Sequence, residues 1–210
     1  MPSLFQRSPK LSFISAVVAA VAASAVTAMP AHAADKTSFH MVRSPALNAV
    51  PACVPNATGK VKIVSNGVTE TMTVDVDGLP PNTDFDFFVI QQPNAPFGMA
   101  WYQSDIETDQ YGHGSVKVVG RFSIETFMVA PGSVAAPQTE PNDASSNPAT
   151  PPIQMYHLGL WIDTPAAAMA AGCPATVTPF SGEHQAGIQV LNTSNFADDH
   201  GPLRDTATKQ

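Results

Sequence analysis

The histidines beyond residue 33 are His40, His113, His157, His184 and His200. His157 and His184 lie in the C-terminal part, flanked by Met155, Tyr156, Glu183 and Gln185. Imidazole suits copper and zinc and a thioether suits Cu(I), so His157, His184 and Met155, or Glu183 in place of Met155, are the candidate metal ligands. Their spacing matches no recognised ligand motif. The competing reading places His157 in a strand, with its ring nitrogens bonded to backbone, and His184 in a turn. Asp105, Glu107 and Asp109 stand at alternate positions ahead of Gly112, as the oxygen ligands of a calcium loop do. Here the glycine is displaced and the glutamate at the twelfth position is missing; on a strand the same acids form one wet face. No Gly-x-Ser-x-Gly occurs. His113, held between Gly112 and Gly114, reads as part of a turn rather than as an oriented base for Ser115. No catalytic residues are assigned.

Two further sets bear on binding and on covalent chemistry. Phe97, Trp101, Tyr102 and Tyr111 flank loops and could line an apolar ligand groove, although such rings also cap sandwich cores. Cys53 and Cys173 are the chain's two cysteines. An even pair in an oxidising compartment reads as one disulfide. Neither a C-x-x-C spacing nor a neighbouring histidine favours a reactive thiol or a metal ligand.

The elements that must position these residues read as strands. Val61 and Ile63 alternate with Lys60 and Lys62, and Met72, Val74 and Val76 alternate with Thr71, Thr73, Asp75 and Asp77. That is the period of a half-buried strand. Asn66-Gly67 between them predicts a type I′ hairpin turn, and Gly78-Leu79-Pro80-Pro81-Asn82-Thr83 stops the ladder. Phe85-Asp86-Phe87-Phe88-Val89-Ile90 is a nearly continuous apolar run and reads as a central, buried strand. Shorter strand signals follow at Trp101-Tyr102, at Val116, Val118 and Phe122, at Ile124, Phe127 and Val129, and at Met155 to Ile162. Thr164-Pro165 supplies an N-cap and a proline at the first helical position for Ala166–Ala171, and Gly172 fits the C′ site. The segments 176–180 and 187–191 read as a closing hairpin. Residues 34–57 read as mixed, proline-containing chain anchored by Cys53, residues 130–152 as a proline-stiffened loop, and residues 194–210 as a frayed, flexible tail. The expected fold is an all-β, Ig-like β-sandwich of about seven or eight strands, spanning residues 34–193, with one short helix and a long Pro-rich loop.

Composition and the first segment bound the function. Charged residues are 13% of the 210, and proline is 20 of them; ~25% charged and ~5% proline are usual. Arg7 and Lys10, an apolar run from Leu11 to about Met29, and an Ala-x-Ala box ending at Ala33 read as a secretory signal peptide over residues 1–33. An uncleaved anchor is the alternative for that run. Loss of Arg7 and Lys10 from the 10 basic residues leaves 8 against 17 acidic ones, a net charge of −9. Nucleic-acid binding is excluded by that balance and by the lack of a basic patch.

The pattern Gly59-x-Val61-x-Ile63, Val74-x-Val76-x-Gly78-Leu79-Pro80-Pro81 and Phe85-x-Phe87-Phe88-Val89 resembles two kinds of extracytoplasmic β-sandwich. One is the copper–zinc superoxide dismutase and chordin-domain group, with a Gly-Leu-Pro turn between early strands. The other is the sensor domain of bacterial membrane anti-sigma factors, whose later Asp-x-x-Gly-x-Gly turn is similar to Asp109–Gly114. The resemblance implies an exported sandwich. It does not extend to dismutase chemistry, because Phe85, Phe87, Phe88 and Val89 stand where that group places copper-binding histidines.

These readings lead to a secreted or periplasmic, non-catalytic binding or structural module of the cell envelope or extracellular space. Its partner would be an extracytoplasmic protein, a glycan or a small apolar ligand, with no cofactor and no membrane span after signal cleavage. The alternative is an exported copper- or zinc-binding or redox-related protein built on His157, His184 and Met155.

Overall fold

A computed structural model describes residues 36–129, 152–179 and 181–206. Residues 1–35, which include the segment read as a signal peptide, residues 130–151 of the Pro-rich loop, residue 180 of the expected closing hairpin and residues 207–210 lie outside the described residues. In chain order the elements are β1 (Lys36–Arg43), β2 (Thr58–Ser65), β3 (Glu70–Asp77), β4 (Asp84–Ile90), β5 (Ala100–Glu107), β6 (Gly114–Gly120), β7 (Phe127–Val129), β8 (Pro152–Gln154), β9 (His157–Ile162), α1 (Pro165–Ala170) and β10 (Gln189–Asn192). The protein is all-β, with one short helix.

Eight strands hydrogen-bond in the order β5-β4-β9-β10-β1-β2-β3-β6, and β7 and β8 form a separate pair. Every pairing is antiparallel. β1 belongs to two sheets: Lys36 to Met41 pair with β2, and Val42 and Arg43 pair with β10. The first sheet is therefore β1-β2-β3-β6, and the second is β5-β4-β9-β10. Their far edges meet where Thr108 bridges Gly114. In this order β2 lies between β1 and β3, whereas an immunoglobulin sheet seats its fifth strand beside its second.

One core cluster draws on both sheets, including Val61 and Ile63 of β2, Met72 and Val74 of β3, Phe85 and Phe87 of β4, and Leu160 and Ile162 of β9. The two sheets differ in what covers them. β2 and β3 bury alternate residues, so one face is wet. In β4 every residue after Asp84 is buried, and β9 and β10 are buried throughout. A strand buried on both faces needs cover on its outer side, and among the described residues Phe97 and Ala186 pack against that side, with residues 98–99, 179 and 181–183 around them.

Local chemistry explains the punctuation. The Thr164 hydroxyl accepts from the Ala167 N–H at 3.2 Å, Pro165 opens α1, and Gly172 leaves it at φ 72°, as expected. Cys53 and Cys173 form a disulfide across 120 residues of sequence, also as expected. The Asn66–Gly67 hairpin is looser than a type I′ turn: Ser65 pairs with Glu70, the Asn66 N–H reaches the Thr69 carbonyl at 2.8 Å, and Gly67 alone of the two central residues has positive φ, 87°.

Three expectations are corrected. Residues 36–43, read as irregular, are β1, the strand that joins the sheets. Residues 194–206, read as a frayed tail, are packed. Phe196 meets Phe39 edge-on at 5.9 Å, Leu203 is fully buried, and its N–H donates to the Tyr156 carbonyl at 3.2 Å. The closing hairpin shrinks to a single Thr178–Ala186 bridge, because β10 pairs instead with β9 and β1.

Candidate functional site

The covered outer face of the second sheet carries the most distinctive chemistry. Phe88 and Ile90 of β4, Trp161 of β9 and Ala186 form a second, smaller apolar cluster, joined by Phe97 and Ala100. Edge-to-face rings run across it. Tyr102 meets Phe88 at 5.5 Å, Phe88 meets Trp161 at 5.4 Å, and Trp161 meets Phe97 at 5.2 Å. Such ring pairs each add ~0.5–1.5 kcal/mol beyond area burial. Two backbone features make the run possible. Gly159 leaves room for the Trp161 ring, which a Cβ there would overlap. A bulge at Gln103 breaks the β4–β5 register, so that Tyr102 faces Phe88 while Asp105 faces Asp86. The 91–99 loop is pinned from below, since the Gln189 and Asn192 side-chain amides both donate to the Pro93 carbonyl, at 3.1 and 2.9 Å.

Above the rings lies a groove of about 800 Å³. Its aromatic and apolar lining includes Phe88, Met99, Trp101 and Tyr102, and its acidic lining is Asp86, Asp105, Asp163 and Glu183. No lysine, arginine or histidine lines it among the described residues. Asp86 sits on β4 directly opposite Asp105 on one side and Trp161 on the other. It is only 3% exposed, and its Oδ2 has no hydrogen-bond partner among the described residues. Like charges placed opposite each other destabilise a sheet. Burial, then the charges of Asp163, Asp105 and Glu183, push the Asp86 carboxyl up from 3.8 to about 7. Asp163 is raised in the same way, by burial first and then by Asp84, Asp105 and Glu183. The Tyr102 hydroxyl donates to Asp105 Oδ1 at 2.7 Å. Burial and that bond hold the hydroxyl well above its ordinary range.

The expected groove residues divide. Trp101, 47% exposed, and Tyr102, 43% exposed, line the groove. Phe97 packs edge-on to Trp161 at its margin. Tyr111 lies elsewhere, in the β5–β6 turn. There the Asp109 carboxylate accepts from the His113 N–H at 3.0 Å and the Tyr111 N–H at 2.8 Å. Those bonds, His113's first, hold the Asp109 carboxyl below its usual range. The Asp105, Glu107 and Asp109 series is thereby split, Asp105 serving the groove and Asp109 the turn.

The expected metal residues are not brought together. His157 opens β9, whereas Glu183, next to His184, acts on Asp86 and Asp163 at the other end. At ~3.3 Å per residue, β9 separates its ends by about 17 Å. His157 is fully buried, and both of its ring nitrogens are engaged. Its Nε2–H must donate to the Asp198 carbonyl at 3.2 Å, so Nδ1 accepts from the Thr193 hydroxyl at 2.9 Å. Burial lowers its pKa, consistent with a neutral ring. Met155 is fully buried in the main core, and His184 sits in a turn at φ 59°. Among the described residues no group of three or more His, Cys, Asp or Glu is placed to hold a metal ion.

A second concavity, about 520 Å³, lies on the wet face of the first sheet and includes Lys60, Asp75, Asp77, His113 and Ser115. Its carboxylates are paired. Asp75 accepts from the Ser115 hydroxyl at 2.7 Å, and Asp77 faces His113 at 3.1 Å. That is the chemistry of a solvated sheet face.

Sequence reasoning missed Asp86 and Asp163, and weighed Glu183 only as a metal ligand, whereas all three line the groove. The available signal was Asp86 itself, an acid inside a run that reads as a central, buried strand. No family model matches the chain, and no curated protein matches it.

Proposed function

We propose that the protein is an exported, non-catalytic binding module of the cell envelope or extracellular space, and that its ligand seat is the groove over β4 and β5. The observation that carries this reading is the groove's lining. Trp101 and Tyr102 stand half-exposed over a fixed aromatic floor, beside a buried carboxyl whose Oδ2 has no hydrogen-bond partner among the described residues. Small-molecule sites are concave and mostly apolar, with a few convergent polar groups, and strongly shifted titratable groups gather at such sites. The Cys53–Cys173 disulfide favours an oxidising compartment, in keeping with the export signal read over residues 1–33. No helix among the described residues is long and apolar enough to cross a membrane. The two-sheet architecture is one that copper–zinc superoxide dismutase and many cell-surface domains share. Phe85 and Phe87 are fully buried in the main core, so they act there as packing.

The test uses the chain's two tryptophans. Trp101 is half-exposed in the groove and Trp161 is fully buried beneath it. A panel of small aromatic, amine and short glycan compounds is titrated against intrinsic fluorescence. At least one compound should give a saturable change that Tyr102→Ala weakens at least tenfold. No saturable change across the panel from a cooperatively folded chain overturns the reading, as does turnover of a hydrolase or redox substrate.

A further inference from the structure

We infer that the groove, read as above to be the ligand seat, selects a small organic cation: an ammonium or guanidinium group carried on an apolar body. The inference rests on that reading and names the ligand's chemistry.

Three independent features point to it. The first is charge. Four carboxyl groups line the groove, from β4 (Asp86), β5 (Asp105), the residue after β9 (Asp163) and the 181–183 loop (Glu183), and no basic side chain among the described residues answers them. The second is the orphaned Asp86 Oδ2, which is an acceptor. A buried polar atom without a partner costs ~1–3 kcal/mol, and an N–H donor entering the groove would remove that cost with a charge-assisted bond. The third is the wall. Trp101 and Tyr102 offer aromatic faces, which attract cations by ~0.5–2 kcal/mol, while Phe88, Met99 and Ala100 can take an apolar body. A volume of about 800 Å³ falls within the ~300–1,000 Å³ of small-molecule sites. A hard divalent cation fits less well. Calcium takes about 6–8 oxygen ligands at ~2.3–2.6 Å, and these carboxylates are not grouped closely enough for a metal ion.

The charge around Asp86 also sets a pH dependence. The groups facing it are Asp105 and Tyr102 from β5, Asp163 after β9 and Glu183 from the loop. None is cationic. A bound cation therefore favours the ionised form of Asp86, and binding releases a proton. Affinity rises with pH through about 7, while an aliphatic ammonium stays charged up to about pH 10.

The test is calorimetric titration of the full exported chain with 2-phenylethylamine, its neutral isostere 2-phenylethanol and calcium chloride, at pH 8 and pH 5.5. The amine should bind at least tenfold more tightly than the alcohol at pH 8. Its advantage should shrink several-fold at pH 5.5 and in Asp86→Asn. Glu183→Gln, on the exposed loop, should reduce it less. Equal binding of amine and alcohol would leave the groove a ligand seat and overturn its cation selectivity. Displacement of the amine by equimolar calcium would also overturn the inference. Failure of both organic probes to bind would overturn the inference, and the seat itself would fall only if the whole fluorescence panel also failed.

Discussion

Asn in place of Asp86 should stabilise the protein at and above neutral pH and leave it unchanged in acid. The wild-type carboxyl is raised from 3.8 to about 7. Over that interval the native state holds a proton that the unfolded chain has released. Native stability therefore falls as pH climbs from about 4 to about 7 and stays low above that. A rise of roughly three pH units at ~1.36 kcal/mol each sets an upper value of about 4 kcal/mol. Water at the groove mouth screens part of it, so about 2–4 kcal/mol is expected. Asn has nearly the same shape and cannot ionise. Below about pH 4 the two proteins should agree within ~0.5 kcal/mol, and at pH 8 the variant should be the more stable by the full amount. Comparing the variant with wild type cancels other titrations, including that of His157, whose lowered pKa acts in the opposite direction. The assay is urea denaturation at pH steps from about 3 to about 9, followed by circular dichroism. A difference that does not change with pH, or an Asn variant less stable than wild type at pH 8, would refute the reasoning. A carboxyl retained at a net cost to folding is one that another role sustains.

Other perturbations probe the frame around it. Replacing Cys53 and Cys173 together by Ser opens a loop of 120 residues and should cost about 5 kcal/mol in the chain-entropy model, seen as a lower urea midpoint. Gly159→Ala places a methyl in the Trp161 ring; it should cost ~1–3 kcal/mol and change the near-ultraviolet circular dichroism. Leu203→Ala should cost ~2–5 kcal/mol, as for a core leucine, where a frayed tail would show less than ~0.5 kcal/mol.

Much of the fold was legible because its signals are local. The alternation through Val61–Ile63 and Met72–Val76 marks the half-wet strands of the first sheet, and Thr164-Pro165 with Gly172 brackets α1. The run Phe85–Ile90 was readable as buried. That it is buried on two faces, with Asp86 lining a groove there, depends on residues 91–99 and 181–187, which are distant in sequence. β1 was obscured because its inward residues, Phe39 and Met41, lie among Lys36, Ser38, His40 and Arg43, and only its two partners, β2 and β10, make it a strand. The packed tail was hidden for a similar reason. Its polar composition conceals Phe196 and Leu203, whose contacts lie on β1 and beside Tyr156. Of the groove, Trp101 and Tyr102 were identifiable as loop-flanking aromatics. Asp163 and Glu183 were not, because they are distant in sequence from Asp86 and meet it only once β9 pairs with β4 and the loop bearing Glu183 closes on the groove.

The groove assignment is tested most directly by following the two indole N–H signals in a ¹H–¹⁵N spectrum while 2-phenylethylamine is added at pH 8. The account predicts that the Trp101 signal moves in a saturable way, and that Asp86→Asn weakens the response several-fold. A Trp101 signal that stays fixed, with changes confined to Lys60, Asp75 and Ser115 on the first sheet, would contradict it.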